Sequence, residues 1–217
     1  MTKPAEGADA QTVFVVDDDP GIRDSVRWLL ESVGLRVETY DSAQAFLDAY
    51  LANRPGCLIL DVRLPGMNGL DLLEELRNRG GTIPVIVVTA FGEVHSTVRA
   101  MKGGAIDVME KPTRDQVMLD RVHQALELDR RTRESLASRA DAVARYARLS
   151  KREVEVLKLI IAGKANKEIA GDLERSTKTV EAHRAAIMRK LGARSIAEVV
   201  RIVLLAEESG NPLIPSG

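Results

Sequence analysis

The sequence predicts an α/β domain, a doubly wound five-stranded parallel sheet, followed by a second domain built only of helices. Three observations predict it. Short continuous apolar runs alternate with helical patterns over the first 128 residues, as strands buried on both faces of a parallel sheet do. Beyond them the strand pattern stops and only helical periodicities remain. Charge divides at the same place: residues 1–128 carry 13 Lys/Arg against 20 Asp/Glu, and residues 129–217 carry 18 against 12, within a net charge of −1. An acidic half joined to a basic half predicts different partners for each, nucleic acid for the basic one. The chain divides accordingly into 10–128, a linker 129–148, and 149–210.

The elements follow in order. Thr12 to Val16 reads as a first buried strand, ending in Asp17-Asp18-Asp19. Pro20 suits a first helical turn, and Ile22, Val26, Leu29, Leu30 and Val33 form that helix's apolar face before Gly34 stops it. Leu35 to Tyr40 is a second strand and Ala43 to Leu51 a helix. Cys57 to Leu60 is a third strand, closed by Asp61 and a loop rich in Pro and Gly, then the helix of Leu70, Leu72, Leu73 and Leu76. Pro84 to Thr89 is the fourth strand and Val94 to Met101 a helix. Ala105 to Met109 is a weak fifth strand running into Glu110-Lys111-Pro112, and Gln116 to Leu128 is helical.

From Asp129 to Arg148 six arginines appear without Gly or Pro, so the fifth helix continues. Leu136, Ala140, Val143 and Ala147 share one face, either a dimer seam or a weakly amphipathic solvated helix. Ser150 with Glu153 has the capping-box pattern, and Val154, Leu157, Ile160 and Ile161 mark a buried face. A short helix spans Lys167 to Leu173. Ser176-Thr177 caps another running to Leu191, with Gly192 as its stop. Ser195 starts the last helix through Val199, Ile202, Val203 and Leu205, and Ser209 to Gly217 reads as a frayed tail.

Apolar content of 45% with 29% charged residues is that of a soluble globular protein, and no apolar run is long enough to span a bilayer. Met1 to Gly7 holds no apolar signal core. The lone Cys57 sits in a strand run as a small hydrophobe. A cytoplasmic protein without membrane partners is expected.

Asp17, Asp18, Asp61, Thr89 and Lys111 all fall at predicted strand ends. In a sheet of order 2-1-3-4-5 these ends converge on one crevice, where open α/β sheets bind ligands. Carboxylates ~4 Å apart repel by about 4 kcal/mol per pair at an effective dielectric of 20, so the cluster calls for a cation. An all-oxygen donor set suits Mg²⁺. Metal, ammonium and hydroxyl around one carboxylate are what a transferring phosphoryl group requires, and a carboxylate can be the nucleophile.

The motifs Val16-Asp17-Asp18-Asp19, Asp61 to Gly69 (DVRLPGMNG), Thr89-Ala90 and Lys111-Pro112 closely resemble the flavodoxin-like receiver domain of two-component response regulators. The resemblance implies that Asp61 accepts phosphate from a sensor histidine kinase. It implies Mg²⁺ held by Asp18, Asp61 and the backbone carbonyl of Arg63, with Asp17 acting through water. Thr89 and Lys111 would bind the phosphoryl oxygens, and Lys111-Pro112 would be cis. One position departs: receivers usually carry an aromatic three residues before the lysine, and here it is Val108. The usual Thr–aromatic relay then has no ring to move.

In the basic half, Leu149 to Leu157, Ala165 to Ala170, Ser176 to Arg184 and Ile187 to Gly192 resemble the LuxR-type helix-turn-helix domain. Joined to a receiver, this is the pattern of the FixJ/NarL class. On the helix after Ser176, Val180, Ile187 and Leu191 face inward, while Lys178, Ala182, Ala185 and Arg189 lie opposite. The two alanines let the helix approach base edges, and Lys178, Arg184, Arg189 and Lys190 reach phosphates. Ser176, Thr177 and Thr179 add contacts at the helix N-terminus, and Lys167 adds one more to phosphate. His183 is open between a DNA contact and a packed histidine. The turn Leu173-Glu174-Arg175-Ser176 departs from relatives, which have a Gly and an apolar residue there.

The expectation is a transcription regulator in which phosphorylation of Asp61 promotes homodimerisation and binding of double-stranded DNA. Two alternatives stand beside it: a DNA-binding regulator independent of phosphorylation, which Val108 favours, and a Mg²⁺-dependent phosphohydrolase using Asp61.

Overall fold

The computed structural model describes residues 11–50, 54–90 and 94–208. The chain forms two compact units, one up to Thr132 and one from Arg133. In the first, five parallel strands lie in the order β2-β1-β3-β4-β5, with β1 at Thr12–Val16, β2 at Arg36–Tyr40, β3 at Gly56–Asp61, β4 at Val85–Ala90 and β5 at Asp107–Lys111. All four pairings are parallel, so every strand delivers its carboxyl end to the same edge. The helices between them are α1 (Pro20–Ser32), α2 (Ala43–Ala49), α3 (Gly69–Asn78), α4 (Val94–Lys102) and α5 (Asp115–Tyr146).

Side-chain alternation along the strands builds two cores, one on each face of the sheet. Phe14, Val16, Leu58, Leu60, Val85 and Val87 pack against Phe46 of α2, Leu72, Leu73 and Leu76 of α3 and Ala100 of α4. The residues of opposite parity, Val13, Val15, Cys57, Ile59, Ile86 and Val88, pack against Val26 and Leu30 of α1 and Met118, Val122 and Ala125 of α5. Both faces are therefore dry, which is why these strands read as unbroken apolar runs. Burial also pushes the Cys57 thiol far above its ordinary pKa, and the residue is an inert core side chain.

The element boundaries differ from expectation where the site lies. β5 begins two residues later than its apolar run and ends at Lys111, and β4 extends to Ala90, so Thr89 is inside the strand. Pairing to β4 decides this, since Ala90 lies opposite Lys111. Helix α2 stops at Ala49, short of the expected Leu51, with Tyr50 already in extended backbone; Met1 to Gly7 and the tail from Ser209 fall outside the described residues. Among the described residues no helix is long and apolar enough to cross a membrane.

Helix α5 runs unbroken for 32 residues, as the absence of Gly and Pro predicts. It is less solvated than a plain linker. Asp129 is 1% exposed, its Oδ2 accepting from the Gly56 amide at 2.9 Å and from Gln11 Nε2 at 3.2 Å. Gly56 adopts φ +149, and a Cβ there would stand 1.8 Å from the Thr12 carbonyl oxygen, so only glycine brings that amide to Asp129. Further along, Ala142 is buried in the second unit. Leu136, Ala140, Val143 and Ala147 are exposed.

The second unit packs α6 (Lys151–Ile161), α7 (Asn166–Asp172), α8 (Thr177–Leu191) and α9 (Ile196–Glu207) with the end of α5 around one core. Val156, Leu157 and Ile160 of α6, Ile169 of α7, Val180, Ile187 and Leu191 of α8, and Val199 and Val203 of α9 supply it. The turn from α7 to α8 closes despite its unusual residues. Glu174 takes φ +52, in the left-handed region that favours glycine, and the Arg175 amide donates to the Ala170 carbonyl at 2.9 Å. A left-handed non-glycine residue costs about 1 kcal/mol, small beside the burial it permits.

Candidate functional site

The three consecutive aspartates after β1 have separate tasks. Asp19 caps α1, its Oδ1 accepting from the amides of Gly21 at 2.7 Å and Ile22 at 3.2 Å. Asp17 is buried, its Oδ1 accepting from the Asp19 amide at 2.9 Å, and Arg23 donates to its carbonyl at 2.7 Å. Asp18 is exposed. Asp61, the last residue of β3, is 6% exposed. The loop after it is closed by Asn68, which caps α3 by accepting from the Asp71 amide at 3.0 Å. Gly69 then donates to the Val62 carbonyl at 2.9 Å, and a Cβ on it would stand 2.0 Å from the Asp61 carbonyl oxygen. Asn68 and Gly69 therefore fix the backbone that carries Asp61.

One donor oxygen from each of Asp17, Asp18 and Asp61 lies within 4.8 Å of the others. Lys111 joins them, its Nζ donating to Asp61 Oδ2 at 2.7 Å and Asp17 Oδ2 at 2.8 Å. Burial opposes charge on Lys111, but these two bonds outweigh it and hold its pKa above the ordinary value. The ammonium is thus fixed as a cation against Asp61. Thr89 is fully buried in β4, and the Lys111-Pro112 peptide is cis. The cluster lies between two clefts. One of about 490 Å³ runs along Ile22, Ser25 and Met118 to Asp17, Asp61 and Lys111. The other, about 620 Å³, is lined by Asp18, Arg63, Asn68, Ser96 and Arg99. Val108 is half-buried against the core on the α3 side of the sheet.

Sequence reasoning missed Asp19 as a cap and Arg23 as a support for Asp17. The capping signal was present, since Asp19 directly precedes Pro20. Arg23 had none, because its partner is a backbone carbonyl.

In the second unit, Lys167, Thr177, Lys178, Ala182 and Arg189 are exposed, and Thr179, His183 and Arg184 are half-buried. Thr179 completes the N-cap of α8: its amide donates to Ser176 Oγ at 3.1 Å and the two hydroxyls lie 2.8 Å apart. Lys190 is turned inward, donating to Glu153 Oε2 at 2.6 Å, so its ammonium is engaged within the fold. The predicted capping box is present, with Glu153 also accepting from the Ser150 amide at 2.7 Å and Ser150 Oγ from the Glu153 amide at 3.3 Å. The lysine is held by a residue of the first turn of α6.

Residues 13–123 match the family described as the response regulator receiver domain, and residues 147–203 match the luxR family of bacterial regulatory proteins. The chain is a two-component response regulator of the receiver–LuxR class. This regulator is 43% identical to the transcriptional regulatory protein TdiR of Thauera aromatica over 90% of its own length and 86% of that protein. It is 45% identical to the transcriptional regulatory protein FixJ of Azorhizobium caulinodans over 89% and 92%. Among solved structures it resembles the response regulator StyR with a TM-score of 0.82 at 42% identity, over 92% of this chain and 99% of that one. Full-length FixJ from B. japonicum matches with a TM-score of 0.56 at 38% identity, over 91% and 98%. With a LuxR-type domain and relatives that are transcriptional regulators, the regulator is a DNA-binding protein, and the phosphohydrolase alternative is set aside.

Proposed function

We propose that Asp61 accepts a phosphoryl group from a sensor histidine kinase, and that its phosphorylation promotes homodimerisation and DNA binding through α8. The observation that carries this reading is the lysine bridge: Lys111 holds Asp17 and Asp61 together beside Asp18, at the carboxyl edge of the sheet. Three carboxylates against one ammonium leave an uncompensated negative cluster of hard oxygen donors, which fits Mg²⁺. Asp18, Asp61 and the backbone carbonyl of Arg63 would hold the ion, with Asp17 reaching it through water. Bound there, it would neutralise the charge of incoming phosphoryl oxygens. Asp61 attacks phosphorus through a carboxylate oxygen, displacing the donor's leaving group. Lys111 and the Thr89 hydroxyl receive the transferred oxygens.

On α8, Lys178, Ala182 and Arg189 face outward, with Thr177 and Arg184 on one flank and Thr179 and His183 on the other. Lys167 sits on α7. These groups are assigned to DNA, Lys178 and Arg189 foremost. Lys190 serves the fold through Glu153. Val108 favours a second reading, in which DNA binding is independent of phosphorylation.

Intact mass after incubation with acetyl phosphate and Mg²⁺ tests the site. Wild-type protein gains one phosphoryl group, and EDTA prevents it. Asp61→Asn retaining full incorporation would place the acceptor elsewhere.

A further inference from the structure

Arg175 is exposed and stands immediately before Ser176, the N-cap of α8. An apolar residue there would cover Val156, Leu173 and Val180. In this protein the space above them is instead a pocket of about 250 Å³, and its remaining walls are Arg152, Glu155, Arg175 and His183. Three of these four polar groups are basic types. The acidic one is already engaged, since Arg152 Nη1 donates to Glu155 Oε2 at 2.7 Å. Among the described residues neither the Arg175 guanidinium nor the His183 ring makes a hydrogen bond or ion pair. The Arg175 backbone is nonetheless fixed by its amide bond to Ala170.

The position of this pocket on α8 decides what can enter it. At 100° per residue His183 lies on the flank of the helix, between the buried stripe of Val180, Ile187 and Leu191 and the exposed stripe of Lys178, Ala182 and Arg189. A helix seated in a major groove presents its outer stripe to base edges and its flanks to the phosphate backbones that wall the groove. A basic pocket on that flank therefore meets a phosphate and not a base.

We propose that Arg175, with Arg152 and His183, forms a seat for one DNA backbone phosphate beside the recognition helix. The inference rests on α8 being the helix that enters the groove. Arg175 is the donor on the turn, Arg152 the donor on α6, and His183 supplies a ring N–H from α8. The contact positions the protein and carries no sequence information.

The test uses the full chain and two duplexes: one selected from a random pool by the wild-type protein, and a shuffled duplex of the same composition. Affinities are measured across a salt series for wild type, Arg175→Ile, Arg175→Lys and Lys178→Ala, with thermal unfolding alongside. Arg175→Ile sets an apolar side chain over Val156, Leu173 and Val180, so its melting temperature holds or rises. Its binding should weaken by the same factor on both duplexes, and the slope of log K against log salt should fall by about 0.9, one phosphate's worth. Arg175→Lys should keep most of the slope. Unchanged slope and affinity in Arg175→Ile, while Lys178→Ala loses both, would overturn the seat and leave the α8 assignment intact. Weakening confined to the selected duplex would overturn the phosphate in favour of a base contact. If neither variant changes binding, both the seat and the α8 assignment are wrong.

Discussion

Glu153 shows how much one residue can carry. It is 5% exposed, completes the capping box of α6 and anchors Lys190 of α8. Burial works against its charge, but the Lys190 bond and the Ser150 amide and hydroxyl outweigh it, and its pKa lies below the ordinary glutamate value. A carboxylate with a lowered folded pKa contributes stability above its unfolded pKa and loses it as pH falls through the folded one. The second unit should therefore hold its stability above about pH 5 and weaken in acid. Glu153→Gln should cost about 2 kcal/mol at neutral pH and flatten that acid dependence. Urea unfolding followed by circular dichroism across pH checks this; a variant as stable as wild type at pH 7 would refute it. The capping role was legible from the Ser150–Glu153 spacing. The pairing with Lys190 was not, because 37 residues separate the partners and only the crossing of α6 and α8 joins them.

At the scale of elements, α5 departs most from a plain reading of its residues. Its polar composition says solvated linker, yet Asp129 ties it to the start of β3 and Ala142 enters the core of the second unit. Tyr146 packs on that core, and Arg145 Nη1 donates to the Leu191 carbonyl at 3.2 Å at the end of α8. A fragment from Arg133 should thus be more stable than one from Leu149, by about 2 kcal/mol for the lost burial. Equal melting temperatures for the two fragments would show that the end of α5 adds nothing. The exposed stripe Leu136, Ala140, Val143 and Ala147 was legible as one face of a helix. Its neighbours' burial was not, since alanine fits a core and a surface equally well.

For the whole molecule, the division of charge matches the division of work: an acidic half that gathers carboxylates and a basic half that binds DNA. One helix-turn-helix reads few bases, and such domains gain selectivity by pairing on half-sites about one helical turn apart. Phosphorylation would add roughly −1.5 to −2 charge beside Lys111 and Thr89. A coupling of ~1–3 kcal/mol to dimerisation would change DNA affinity about 5- to 150-fold. Sedimentation with and without beryllofluoride, beside DNA titrations, should show a larger dimer fraction and tighter binding together. Neither changing would leave the phosphorylation-independent reading in place.

The sequence by itself determined the strand and helix order, the crevice at Asp17, Asp61 and Lys111, and the inward and outward faces of α8. Those follow from local periodicity and from the rule that parallel strands end on one edge, both written in neighbouring residues. Only the tertiary structure decided that Lys111 bridges Asp17 and Asp61, that Lys190 turns inward to Glu153, that Asp129 is a buried acceptor, and that Arg175 opens a basic pocket. Each depends on contacts between residues far apart in the chain or brought onto one flank by packing. Composition and periodicity do not encode such contacts.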